Sequence, residues 1–196
     1  MPAELAPLAG LPAWAWLAAL PLVLAMCTAF TKVSVVLSAL RVGLGAEALL
    51  PWSAVLALSL VVTAVVMGPV ALGVVAGLDG GGDLVSAAGP LLDFLRDHAS
   101  AAEVDFFAGM QGLSGDHPLV VLPAFLVSEL GEALQMAVLI LLPFALLDLV
   151  VAQIFTLVGL PGQPLPLVTL PLKVLLFLGV GGWDVVIGGL VEGYAR

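Results

Sequence analysis

The chain has 196 residues, of which 62% are hydrophobic and only 10% charged, a balance that excludes a water-soluble globular fold and points to an integral membrane protein of one domain, residues 1–196. Five Lys and Arg stand against fourteen Asp and Glu, a formal net charge of -9, and without a basic patch no nucleic-acid partner is suggested. The single cysteine, Cys27, lies in an apolar run, so an intrachain disulfide is excluded and the residue reads as a small buried hydrophobe.

Residues 1–10 carry Glu4 and no base, so they lack the basic start of a secretory signal, and no cleavable signal is expected. An apolar run over 11–40 predicts a first membrane helix, opened by Pro12, interrupted by Pro21 and marked near its start by Trp14 and Trp16, residues that favour the headgroup boundary. Lys32 falls inside this run and Arg41 just beyond it. Snorkelling to an interface accounts for Arg41, whereas Lys32 calls equally for a buried ion pair. Gly43, Gly45 and Pro51 predict a short turn, and 53–78 a second helix, so that the two form a helical hairpin. The turn contains Arg41, and the far longer next loop has Arg96 as its one base. The positive-inside rule therefore leans to a cytoplasmic turn and an extracytoplasmic loop.

That loop, 79–118, is the one substantial polar stretch, with Asp79, Asp83, Asp93, Asp97, Glu103, Asp105 and Asp116. Its apolar residues Leu91, Leu92, Phe94, Leu95, Val104, Phe106 and Phe107 predict one or two short helices packed on another element. The run Gly80, Gly81, Gly82 reads as a turn and not as a calcium loop, which would need repetition. His98 and His117 lack metal-ligand spacing. Ser114, Asp116 and His117 crowd one loop and cannot converge as a hydrolase triad does.

The stretch 119–169 organises the rest. Glu129, Glu132 and Asp148 stand in an otherwise apolar run, and a carboxylate at mid-bilayer costs about 2.5–3.5 kcal/mol even on lenient insertion scales. Ser128, Glu132 and Gln135 recur at i, i+4 and i+7 with Glu129 beside them, which gathers these polar groups on one helical face. The helix predicted over 119–157 exceeds the ~20 residues of an upright span, and Pro143 lies within it, so a kinked or broken helix or a hairpin is expected. A fourth helix is predicted over 165–194, with Lys173 inside it and several glycines suited to close packing. The fold class is thus an all-α membrane protein of about four long apolar helices arranged as hairpins, with a partly helical acidic loop.

Lys32 and Lys173 need acids, and Glu129, Glu132, Asp148 and Asp184 are available. Two solutions stay open: pairing within the chain helped by snorkelling, and, weighing somewhat more, pairing between subunits or lining of a hydrated pore.

Several blocks resemble the FliP/SctR family of type III secretion export gates. They are residues 28–45 (TAFTKVSVVLSALRVGLG), 63–69 (TAVVMGP), 122–130 (LPAFLVSEL), 148–152 (DLVVA), 170–177 (LPLKVLLF) and the pair Gly182, Trp183, in the family's order. The resemblance spans roughly residues 20–194. It implies a protein-conducting gate: several copies of the chain join two other small membrane proteins, of the FliQ/SctS and FliR/SctT families, to pass unfolded secretion substrates across the bacterial inner membrane. From the charge accounting, Lys32, Arg41, Glu129, Glu132, Asp148 and Lys173 are expected to make intramembrane charge or subunit contacts beside the polar face of Ser128 and Gln135.

Two departures stand out. The family often carries Lys two positions after the Glu, where this chain has Gly131 followed by Glu132. It also usually carries a run of Met that helps close the pore, where this chain reads Gly159, Leu160, Pro161, Gly162. Absence of a signal leans towards an injectisome and away from a flagellum. The competing reading is an oligomeric small-solute, proton or cation transporter or channel using Glu129, Glu132 and Asp148. An enzyme is not expected, since no nucleophile with its base, no metal set and no cofactor loop is visible.

Overall fold

The computed structural model describes residues 13–47, 49–81, 84–159 and 165–195, and every regular element among them is an α-helix. In chain order these are α1 (Ala13–Cys27), α2 (Phe30–Leu44), α3 (Trp52–Asp79), α4 (Leu84–Ala87), α5 (Gly89–His98), α6 (Ala101–Gln111), α7 (Pro118–Leu157), α8 (Leu165–Gly179) and α9 (Gly182–Glu192). Expectations for residues 1–12, 82–83 and 160–162 fall outside the described residues.

The hub is α2. Val33, Val36, Leu37, Leu40 and Leu44 recur at helical spacing and are all buried, giving an apolar stripe that packs chiefly on α7 and also on α3. Gly45, at φ 65°, ends the helix in the left-handed cap that glycine adopts without strain, and its N–H returns to the carbonyls of the last turn. Gly43, expected in the turn, lies instead inside α2. A Cβ there would come within 2.9 Å of both Leu141 and Phe144, so its bareness lets α7 close on α2.

Each of the two outer predicted helices is a bent pair. The first, expected over 11–40, breaks between Cys27 and Phe30, where the segments meet at 88°. Side-chain hydroxyls take up backbone groups that the break releases: Thr28 donates to the Leu24 carbonyl and accepts from the Phe30 N–H, and Thr31 donates to the Ala25 carbonyl. The fourth, expected over 165–194, turns by 60° between α8 and α9. Gly181 sits there at φ 64°, and a Cβ on Gly182 would lie 2.2 Å from the Phe177 ring, so the bend and the inward Phe177 both depend on glycine.

The third helix departs in the opposite sense. The break or hairpin expected near Pro143 is absent, and α7 runs unbroken through Pro123 and Pro143 for 40 residues. Such a helix is about 60 Å long, twice the ~30 Å hydrocarbon core of a bilayer. Phe144, next to the proline, is buried in the space left by Gly43, which braces α7 at the point where a backbone hydrogen bond is lost.

The acidic loop holds α4, α5 and α6, one helix more than expected. Phe94 and Leu95 of α5 pack on Val121 and Phe125 of α7, so the loop is docked on the bundle; α6 buries none of its own residues. By length and composition α3 and α7 can each cross a membrane, and the bent pairs raise the number to at most four. The most apolar window of α7 is only 11% buried inside the chain, so this helix needs lipid or protein around it.

Candidate functional site

Along α7 the residues Val121, Phe125, Glu129, Ala133 and Ala137 follow one another at i+4, and all five are buried. An acid thus occupies the middle of a core stripe. Lys32 opens the matching stripe of α2, and helix packing brings the two face to face. The Lys32 Nζ lies 2.5 Å from Glu132 Oε2 and 3.6 Å from Glu129 Oε1. Lys32 and Glu129 are each 1% exposed, whereas the Glu132 side chain is 58% exposed. A buried charge is tolerated where its partner and hydrogen bonds replace water, and two carboxylates on one ammonium meet that condition for the lysine.

Sequence reasoning missed the fourth member. Tyr194, the one tyrosine in the chain, donates its hydroxyl to Glu129 Oε2, so both Glu129 oxygens are engaged. Its ring lies under Lys32, with Nζ 4.4 Å from the centroid, stacks on Phe94 at 5.9 Å and meets the His98 ring, tilted, at 5.2 Å. The residue just after the last helix therefore joins the acidic loop to the charge cluster. A lone amphipathic aromatic ending an apolar run was the available signal.

Of the polar face read on α7, Ser128 donates to the Ala124 carbonyl and accepts from the Ser100 N–H, both at 2.8 Å, which ties the start of α6 to α7. Glu132 and Gln135 face an open cleft of about 590 Å³ formed where α2, the junction of α5 and α6, α7 and α9 meet, with Lys32, Asp97 and His98 also in its wall.

A second pair closes across the turn after α7, where Lys173 Nζ of α8 lies 2.6 Å from Asp148 Oδ2. Lys173 is 9% exposed at its side chain and Asp148 41%. The two stand at matching distances from the ends of α7 and α8, so the contact fixes the register of this helical hairpin. Among the described residues Arg41 makes no ion pair; its Nε donates to the Leu50 carbonyl at 2.6 Å and a terminal nitrogen to that of Glu47, closing the turn before α3. Asp184 makes no ion pair among the described residues; it sits in the first turn of α9, where the helix dipole favours an acid. Gly159, at φ 70°, follows α7, and Leu160, Pro161 and Gly162 lie outside the described residues. Both lysines find acids inside the same chain, the first of the two solutions the sequence left open.

The family model for the FliP family matches residues 14–190. The chain belongs to the FliP family. Among curated relatives, virulence protein YscR of Salmonella typhimurium is 32% identical over 91% of this chain and 93% of its own length. Flagellar biosynthetic protein FliP of Caulobacter vibrioides is 32% identical over 90% of the chain and 72% of its own length. Yop proteins translocation protein R of Yersinia pestis is 32% identical over 89% and 90%. In this FliP-family chain Glu129, Asp148 and Lys173 lie in the blocks that carry the family resemblance, and each has an intrachain partner. Glu132, at the point of departure, shares the buried lysine.

Proposed function

We infer that this chain is a core subunit of a type III secretion export apparatus, assembling with copies of itself and with FliQ/SctS-like and FliR/SctT-like membrane proteins into the gated channel that passes unfolded substrates across the bacterial inner membrane. The carrying observation is the family match from residue 14 to 190, supported by relatives named for flagellar biosynthesis, virulence and Yop translocation. Assembly is supported by α7, which has twice the length a bilayer core covers and a largely uncovered apolar surface. The role is conductive and structural, with no catalytic step. The acidic loop from α4 to α6 lies on the extracytoplasmic side, and the turn at 159–162 closes the pore at rest.

A transporter built on Glu129, Glu132 and Asp148 has less support, because all three carboxylates already hold a lysine. The test is mass measurement of the complex extracted with its operon neighbours, joined to a secretion assay in a strain lacking the chain. A heteromer with several copies of this chain, and loss of secreted protein restored by the chain, is the expected result. A stable lone monomer that moves protons in liposomes overturns the reading. Closure has its own test: Leu160→Ala raises leakage of small ions, and unchanged permeability removes that residue from the seal.

A further inference from the structure

The joint between α1 and α2 turns the chain by 88° without the residues that usually turn a helix. No proline or glycine lies between Cys27 and Lys32, and Ala29 at the corner keeps helical angles, φ -59° and ψ -7°. Among the described residues only glycines have positive φ, so no backbone strain forces the bend. Pro21 stands well upstream, inside α1.

Side chains hold the corner. In a continuous helix the N–H groups of Thr28 and Ala29 would occupy the carbonyls of Leu24 and Ala25. Here the Thr28 hydroxyl donates to the Leu24 carbonyl and the Thr31 hydroxyl to that of Ala25, the latter at 2.5 Å, while the Phe30 N–H donates to the Thr28 oxygen at 3.2 Å. Either set of donors satisfies the same two carbonyls, so the bent form keeps among apolar surroundings what a straight one would have. The two sides of the joint are held differently. Lys32, next after Thr31, is tied to Glu132 at 2.5 Å and to Glu129 at 3.6 Å, and the buried stripe of α2 packs on α7 and α3. The other arm, α1, carries no charged side chain and leaves Leu22 and Val23 exposed.

We propose that residues 28–31 form a hinge latched by hydroxyls. With the latch closed, α1 folds back at a right angle and packs on α7; with it open, α1 withdraws from α7 and continues α2 as one helix. Thr28 and Thr31 are positioning residues, α2 is the side fixed at Lys32, and α1 is the arm that moves. Two discrete packings of one segment, separated by a few side-chain hydrogen bonds, are the kind of bistable element on which helical switches are built. This inference stands apart from the export-subunit reading.

The test is a spin-label distance between Leu22→Cys and Val42→Cys, both at exposed positions, in the full chain with its single native cysteine replaced by Cys27→Ala. The labelled chain is reconstituted in liposomes and diluted with unlabelled chain, so that only distances within one copy are read. At 1.5 Å per residue the two backbones lie about 22 Å apart when bent and about 30 Å apart when straight. The native threonines should give the short distance as the main maximum. Thr28→Val with Thr31→Val keeps the branched shape, deletes both hydroxyls and should raise the ratio of long to short distance about tenfold or more. Thr28→Ser with Thr31→Ser should restore the native distribution, and Thr31→Val alone serves if the double valine variant fails to insert. A valine variant that keeps the native distribution overturns the proposal, as does a chain already straight with its threonines. A broad distribution with no second maximum would mean a frayed joint, and a serine variant that straightens like the valine one would assign the bend to methyl packing; either result also overturns it.

Discussion

The two buried lysines meet the same problem with different thoroughness. Lys32 has two carboxylates, an aromatic ring beneath it, and α5 docked against that ring, so its ammonium is held by contacts from several elements at the edge of the cleft. Lys173 has one carboxylate, itself 41% exposed, at a single contact between two helices. The Lys32 end of α7 is locked by interactions that span the chain from residue 32 to residue 194, while at the Lys173 end a single ion pair joins α7 to α8. The charge contacts at the first end are thus the more enclosed of the two.

The largest expected effect breaks the enclosed end. Lys32→Met strands Glu129 and Glu132 beside each other, and removal of one partner of a buried pair costs about 3–5 kcal/mol. The variant should show a strongly lowered midpoint of thermal unfolding in detergent, and adding Glu129→Leu should recover a good part of it, since an apolar replacement of both partners is close to neutral. Equal destabilisation by the single and double variants would mean that the cluster is not the lock described. Tyr194→Phe keeps the ring under Lys32 and deletes the hydroxyl given to Glu129, a hydrogen bond to a charged group worth about 1.5–3 kcal/mol. Its midpoint should fall between those of Lys32→Met and wild type; a wild-type midpoint would assign Tyr194 packing alone.

At the hairpin end the expected loss of stability is smaller, between the ~1 kcal/mol of an exposed pair and the ~3–5 kcal/mol of an enclosed one, and function is where the change should be read. Lys173→Glu faces Asp148 with a like charge and should abolish secretion while leaving membrane insertion intact. The exchanged pair, Lys173→Asp with Asp148→Lys, should restore secretion in part. Normal secretion by Lys173→Glu would remove this contact from the working of the gate.

What the sequence made legible follows from which forces are local. Helix type and the packing of α2 on α3 depend on periodicity and turn residues, and they stand in the structure, with Glu132 and Gln135 of the polar face on one cleft and Ser128 buried against Ser100. The stranded charges were visible too, because an acid in an apolar run is conspicuous at any position. Their partners were not, since Lys32 and Glu132 are a hundred residues apart and only packing joins them. The breaks at Cys27 to Phe30 and at Gly181 misled for a physical reason: an apolar run looks the same whether straight or bent, and the hydroxyls and glycines that turn it act through contacts invisible in one dimension. At Pro143 the sequence offered a kink, a break or a hairpin, and the last two are absent where Phe144 seated against Gly43 braces α7.

The smallest expected effect sharpens the comparison by loosening the brace on the enclosed end without touching its charges. Ser128→Ala removes a donor to the Ala124 carbonyl and the acceptor for the Ser100 N–H. Ser100 is exposed, so water can replace the lost acceptor, and the net cost should stay within about 0.5–1.5 kcal/mol. Amide hydrogen exchange should quicken at the start of α6, and secretion should persist, because Lys32, Glu129, Glu132 and Tyr194 keep their contacts. If exchange also quickened across α5 and at Tyr194, the loop and the charge cluster would open as one unit, and the locked end of α7 would extend through α6 to the loop.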